Sequence, residues 1–177
     1  MHKFIKFNSR IWFLLGFLGC AALLAIGAYL QFIEEQEPCP LCISQRIAIL
    51  LTGIVFLIAA VHNPGRTGVK AYSIFGALTA LAGASISTRH VWLQHLPPEE
   101  VPECGPGLEY VFENFPLSET IKLMLSGTGD CAEVSWTLLG LSIPEWTLIA
   151  FLMLALLSLL QIWNPENPWH KTRNQRP

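Results

Sequence analysis

The chain has 177 residues, 52% of them hydrophobic and only 14% charged, with 11 basic and 13 acidic side chains and a formal net charge of -2; soluble domains average about 45 to 50% and about 25%. Such a chain is neither disordered nor collagen-like, and it lacks the surplus of Lys and Arg that phosphate neutralisation requires, so nucleic acid is not an expected partner. The apolar residues are gathered into runs.

Lys3, Lys6 and Arg10 precede the first run, residues 11–32. A hydrocarbon core about 30 Å thick needs roughly 20 mostly apolar residues as helix, and this run is long enough. The basic start with Phe17-Leu18-Gly19-Cys20 also resembles a secretory signal with a lipidated cysteine. The run continues well past Cys20, which fits a spanning helix better and leaves Cys20 as a buried small hydrophobe. The external loop 33–42 follows, with Glu34, Glu35, Glu37 and the motif Cys39-Pro40-Leu41-Cys42. A bond across a two-residue spacer removes little denatured-chain entropy, so redox exchange explains the motif better than stapling does. Pro38 and Pro40 place Cys42 at the start of the second helix, where unpaired N–H groups and the macrodipole favour a thiolate. Gln45 and Arg46 lie one turn on. Cys42 and Arg46 are four apart and share a helix face. An Arg at the mouth of a spanning helix must snorkel or meet an anion, and a thiolate or an anionic reduced ligand suits the placement better than snorkelling.

The second span covers 43–62, a short loop carries Arg66 and Lys70, and the third span covers 71–92. The third is the least apolar, and its Gly76, Ala77, Ala80, Gly83, Ala84 and Ser87 suit close helix packing. Arg89 and His90 end it on the external side, near the height expected for Cys42. An imidazole there could donate to a carbonyl oxygen or move protons, although an interfacial His is more often a polar end-marker. His2, His62, His95 and His170 read as solvated or interfacial. The external loop 93–145 is long for a connection without a function of its own. In it, Pro102-Glu103-Cys104-Gly105-Pro106-Gly107 should form an exposed, movable tip, and Cys131 follows the Gly-rich Ser126-Gly127-Thr128-Gly129-Asp130, a similarly flexible stretch. Between them Pro116, Ser118 as N-cap, and an apolar face of Leu117, Ile121, Met124 and Leu125 predict a short helix at the membrane surface or on top of the bundle. The fourth span covers 146–163. Trp12, Trp92, Trp146 and Trp163 fall at span ends, as interfacial rings do.

The expected fold is therefore an all-α membrane protein, a four-transmembrane-helix bundle forming a single integral membrane domain over 1–177, in contact with the lipid bilayer. Lys3, Lys6, Arg10, Arg66, Lys70, Lys171, Arg173 and Arg176 lie on one side, whereas the acidic residues concentrate in the other two loops. The positive-inside rule puts both termini in the cytoplasm and the acidic loops outside. Cys39, Cys42, Cys104 and Cys131 then all lie on the external, disulfide-permissive side. Four cysteines allow three pairings; Cys39 and Cys42 are close enough to pair, which leaves Cys104 for Cys131. Zinc held by all four is a poor match to structural spacing, so no metal is expected, and no βαβ pattern makes the CxxC a thioredoxin's.

Four spans, a CxxC opening the second helix, Arg46 four residues on, His90 ending the third, and Gly129-Asp130-Cys131-Ala132-Glu133 leading through Trp136 and Leu139-Gly140-Leu141 to Pro144-Glu145-Trp146 together resemble the disulfide bond formation protein B (DsbB) family. The resemblance implies a bacterial inner-membrane thiol:quinone oxidoreductase that reoxidises a periplasmic DsbA-like thioredoxin-fold protein and passes the electrons to the membrane quinone pool, with ubiquinone or menaquinone as cofactor. It implies that the partner thiolate attacks Cys104 of a Cys104/Cys131 disulfide, that Cys131 exchanges with Cys39, and that Cys42 is freed to reduce the quinone, with Arg46 stabilising thiolate and reduced ring and His90 hydrogen-bonding the quinone. DsbA couples are established near -120 mV, so a glutathione-like pool at about -180 to -210 mV cannot reoxidise them and a stronger oxidant is needed. Gln45 stands where relatives often have an acidic residue. Two other readings compete: a vitamin K epoxide reductase-like enzyme, disfavoured because there the loop pair normally precedes the CxxC, and a non-catalytic scaffold stapled by disulfides.

Overall fold

The computed structural model describes residues 9–35, 37–104, 108–134 and 136–163, without the side chains of 108, 109 and 112. Lys3, Lys6, Lys171, Arg173 and Arg176 lie outside the described residues. Among the described residues, four helices are long and apolar enough to cross a membrane: α1 (Ser9–Phe32), α2 (Pro40–His62), α3 (Arg66–Gln94) and α6 (Ile143–Trp163). The described residues are predominantly helical, with no sheet core among them. Each of the four helices begins two to five residues before its expected span, because the apolar run marks the hydrocarbon and the helix continues into the interface. Many side chains on the outside are large and apolar, among them Leu18, Ile26, Phe75 and Leu156. In water that surface would be unfavourable; against lipid it is the expected one.

α1 packs on α2, α2 on α3 and α3 on α6, whereas α1 meets α6 only lightly. Aromatic knobs set these contacts. The Phe56 ring is buried between Gly16 of α1 and Gly76 of α3, and a Cβ built on either glycine would come within 2.5 Å of it. Phe151 of α6 occupies the notch at Gly83 in the same manner. The small residues of α3 thus receive rings from neighbouring helices. Cys20 is buried against Gly53, as a small hydrophobe.

The loop between α3 and α6 folds down onto the helix ends. It contains α4 (Leu108–Asn114), which the sequence reading did not anticipate, α5 (Leu117–Ser126), a 3-10 turn (Gly129–Cys131) and a two-residue hairpin of β1 (Thr137–Leu138) and β2 (Leu141–Ser142), paired Thr137 with Ser142 and Leu138 with Leu141. Both turn residues have positive φ, Leu139 at 54° and Gly140 at 82°, the combination that suits a tight two-residue hairpin. The N-cap of α5 is Pro116, not Ser118, which lies inside the helix; proline's fixed φ starts the helix two residues earlier than a side-chain cap would. Thr120 and Met124 of α5 are buried towards the bundle, and Leu117, Ile121 and Leu125 are exposed. Ser44 Oγ donates to Met124 O at 3.0 Å, and Arg89 Nε donates to Ser126 O at 3.3 Å, which ties the end of α5 to α2 and α3.

Candidate redox site

Cys39 is the N-cap of α2, with Pro40 opening the helix, so Cys42 stands in the first turn where backbone N–H groups have no helical acceptor. The local sequence dictates this, since proline is tolerated only at the first positions of a helix. All five cysteines are free thiols in this structure.

Cys39 neighbours the sulfurs of half-buried Cys42 and buried Cys131. Its side chain is in hydrogen-bonding reach of Cys42 and of Cys131, and the donor atoms of Cys39, His90 and Cys131 all lie within 4.8 Å of one another. These three residues could also take a metal ion, but the group is one ligand short of a closed tetrahedral zinc site. Cys131 does not sit on a mobile tether as its Gly-rich approach suggested. It is fully buried with Leu41 and Leu93, and its N–H donates to Thr128 O at 2.9 Å within the 3-10 turn. The hydrogen bond to Cys39 and the burial push its thiol well above the ordinary range.

Cys104 is exposed, in agreement with its expected access. The segment that carries it lies over the turn that carries Cys131: Gly129 N–H donates to Glu103 O at 3.2 Å, and a Cβ at Gly129 would stand 2.5 Å from Pro102 O and 3.2 Å from Cys104 Sγ. A side chain at 129 would lever the two cysteine segments apart. The Asp130 carboxylate raises the Cys104 thiol by hydrogen bonding and by its charge.

Cys42 also borders a cavity of about 410 Å³ whose walls come from α1, α2, α6 and the hairpin. The cavity exists because α1 and α6 scarcely touch, which leaves a cleft across α2. Leu23, Ile26 and Leu30 form one wall and Trp146 and Met153 another, while Trp136 and Leu138 lie above. Trp146 Nε1 donates to Leu138 O at 3.1 Å and holds that roof in place. Arg46 lines the same cavity, but its hydrogen bonds run to α1: Nη1 donates to Gln31 Oε1, and Nη2 donates to Gly27 O at 2.8 Å. A Cβ at position 27 would come 3.2 Å from Arg46 Nε. These acceptors are neutral, so the guanidinium keeps a positive charge next to the cavity.

His90 is buried and does not line the cavity. Its Nε2 faces Cys39 Sγ at 3.7 Å and its Nδ1 faces Gln45 Nε2 at 3.1 Å. Gln45, buried as well, does line the cavity, and its Oε1 accepts from Thr147 Oγ1 at 2.9 Å. Sequence reasoning had found no role for Gln45 and did not consider Thr147. Position 45 offered one signal, a polar amide on the buried side of a spanning helix; Thr147 offered none.

A family model described as disulfide bond formation protein DsbB matches residues 9–161. The chain is similar to the disulfide bond formation protein B of Methylococcus capsulatus, with 65% identity over 159 residues that cover 90% of this chain and 97% of the relative. It is similar also to that of Nitrosococcus oceani, 53% over 158 residues covering 89% and 94%, and to that of Hahella chejuensis, 57% over 145 residues covering 82% and 87%.

Proposed function

Because the chain belongs to the DsbB family of membrane disulfide-forming oxidoreductases, we propose that it is a thiol:quinone oxidoreductase, one integral membrane domain over 1–177 that reoxidises a periplasmic DsbA-like protein. The observation that carries this reading is the position of Cys39, flanked by Cys42 at the apolar cavity and by Cys131 beneath the segment that bears exposed Cys104. A disulfide can pass along that order by exchanges between adjacent sulfurs. The partner's thiolate bonds to Cys104 and releases Cys131; Cys131 bonds to Cys39 and releases Cys42. Only Cys104 needs to be reached from outside, and only Cys42 faces the cavity.

The cavity suits a quinone head group. It is apolar, of ligand size, and has a retained cation at Arg46 with polar groups at Gln45 and Thr147. A bound ubiquinone or menaquinone would supply the two-electron acceptor of potential higher than the partner couple. Arg46, held by Gln31 and Gly27, stabilises negative charge that develops beside it, whether on Cys42 or on a ring oxygen. His90 reaches this cavity only through Gln45. The basic and acidic faces support an inner-membrane orientation with both termini cytoplasmic and the four cysteines periplasmic.

The test is reduction of ubiquinone or menaquinone by a reduced DsbA-like protein in detergent or proteoliposomes. Cys42→Ser and Cys104→Ser should each abolish it; turnover that survives either substitution overturns the reading. Cys131→Ser should accumulate a mixed disulfide between the partner and Cys104.

A further inference from the structure

The buried polar chain that joins α6, α2 and α3 ends on sulfur. Thr147 Oγ1 stands 2.9 Å from Gln45 Oε1 and 2.9 Å from Pro144 O, and its hydroxyl can donate to either. With Oε1 serving as the acceptor for Thr147, the amide nitrogen of Gln45 is the atom that faces His90 Nδ1, at 3.1 Å. An amide N–H can only donate, so Nδ1 must accept. A neutral imidazole has one N–H, and it then lies on Nε2. That nitrogen is 3.7 Å from Cys39 Sγ, and the same group includes the Cys131 sulfur. Gln45 and His90 are each 2% exposed, so bulk water does not compete for either ring nitrogen.

We propose that Gln45 is a positioning residue: it holds His90 in the tautomer whose Nε2–H points at the sulfurs, and His90 thereby stabilises the thiolate on Cys39 or Cys131 while the disulfide passes between them. The inference rests on the exchange sequence proposed above. In that step the Cys131 thiolate attacks Cys39 Sγ. The Cys131–Cys39 bond forms, the Cys39–Cys42 bond breaks, and its electron pair leaves on Cys42 as a thiolate. Cys131 is oxidised, Cys42 is reduced, and no proton moves, so His90 keeps its N–H throughout. When the disulfide later returns to the Cys104/Cys131 pair, Cys39 is the departing thiolate and the same N–H faces it.

A donor is needed there for a physical reason. Cys131 is fully buried, and its thiolate is disfavoured by that burial and by the neighbouring Cys39. Negative charge in such a place requires a protein hydrogen bond in place of water. Backbone groups of Leu41 and Thr128 already favour the Cys131 thiolate, and the His90 N–H adds a side-chain donor that faces Cys39 as well. Among the described residues, the titratable groups beside His90 are Cys39 from the mouth of α2 and Cys131 from the 3-10 turn, with Cys42 next to Cys39; α6 contributes the neutral Thr147, through Gln45. Arg89, adjacent on α3, is turned to Ser126 O and stacks 4.4 Å from the centre of the Trp92 ring.

Two measurements test the assignment without quinone or partner, so their failure is distinct from failure of the oxidoreductase reading. In the full-length protein with ¹⁵N-labelled histidine, the ring-nitrogen shifts of neutral His90 should report a proton on Nε2 and a bare Nδ1. A wild-type His90 protonated on Nδ1 overturns the proposal, and this arm needs no variant that must fold. In a protein whose Cys42, Cys104 and Cys131 are all Ser, the rate of Cys39 alkylation at fixed neutral pH follows its thiolate fraction. Adding Gln45→Met or His90→Asn should slow it about fivefold, and Thr147→Val should slow it less. An unchanged rate with both Gln45→Met and His90→Asn also overturns the proposal.

Discussion

The two ends of the bundle treat their buried polar side chains differently. At the end that bears the redox cysteines, Ser44 donates to backbone carbonyls, and Thr147, Gln45 and His90 form a hydrogen-bonded chain that runs from α6 through α2 and α3 to Cys39. Towards the opposite end, Ser73 and Ser158 have buried hydroxyls without a hydrogen-bond partner, and neither Nε2 nor Oε1 of Gln161 has one. Ser158 Oγ lies only 3.1 Å from where a Cβ on Gly76 would stand, so smallness matters there more than polarity. Polar groups that position chemistry are satisfied and directed; those that only let helices approach need not be. An unsatisfied buried group is costly, so the inner set should be replaceable and the outer set should not.

The largest expected effect is at Arg46. Arg46→Ala removes the positive charge beside the cavity and should lower quinone-coupled turnover about a hundredfold. Single-turnover disulfide transfer from Cys104/Cys131 to a reduced partner should be unaffected, since neither cysteine lines the cavity. Loss of both activities in a folded variant would merge two regions that the geometry keeps apart. Next comes packing away from the site. Gly83→Val, which would drive a side chain into Phe151, should destabilise the protein by about 2 kcal/mol in thermal denaturation, and the molecules that remain folded should exchange disulfides at the wild-type rate.

A smaller effect is expected at Asp130, whose carboxylate raises the Cys104 thiol. A raised thiol is under-ionised at neutral pH, so alkylation of reduced wild-type Cys104 should keep accelerating with pH beyond the point at which an ordinary thiol levels off. Asp130→Asn should move that curve to lower pH and speed alkylation near neutrality about threefold. An unmoved curve would show that the acid does not control the exposed cysteine. Smallest of all are Ser158→Ala and Gln161→Leu, expected to be neutral or to stabilise by up to about 1 kcal/mol; a clear loss of stability in either would show that the inner groups have partners after all.

The legible parts of the molecule were those written locally. The four spans followed from runs of apolar residues, and Cys42 at a helix start followed from Pro38 and Pro40 just before it. Exposure of Cys104 followed from its Pro and Gly neighbours. The two misreadings have separate causes. Ser126-Gly127-Thr128-Gly129 looks mobile as a string, yet Gly127 (φ 79°) lets the chain settle on Leu41 and Leu93, where a Cβ would stand 2.7 Å from each. A flexible sequence becomes a tight turn when two helix ends supply the surface beneath it. The N-cap of α5 was misplaced because a polar side chain was preferred over the backbone preset of Pro116.

By itself the sequence determined the membrane architecture and the family, because periodicity, run length and short motifs are properties of neighbouring residues. Only the tertiary structure decided which groups meet. Gln45, His90 and Thr147 come from three different helices, 45 and 102 residues apart along the chain. The gap between α1 and α6 that leaves room beside Cys42 belongs to the assembled bundle rather than to any segment of it. Their alignment follows from the packing of Phe56 and Phe151 into glycine notches, which sets how close the helices stand and therefore which side chains can reach each other.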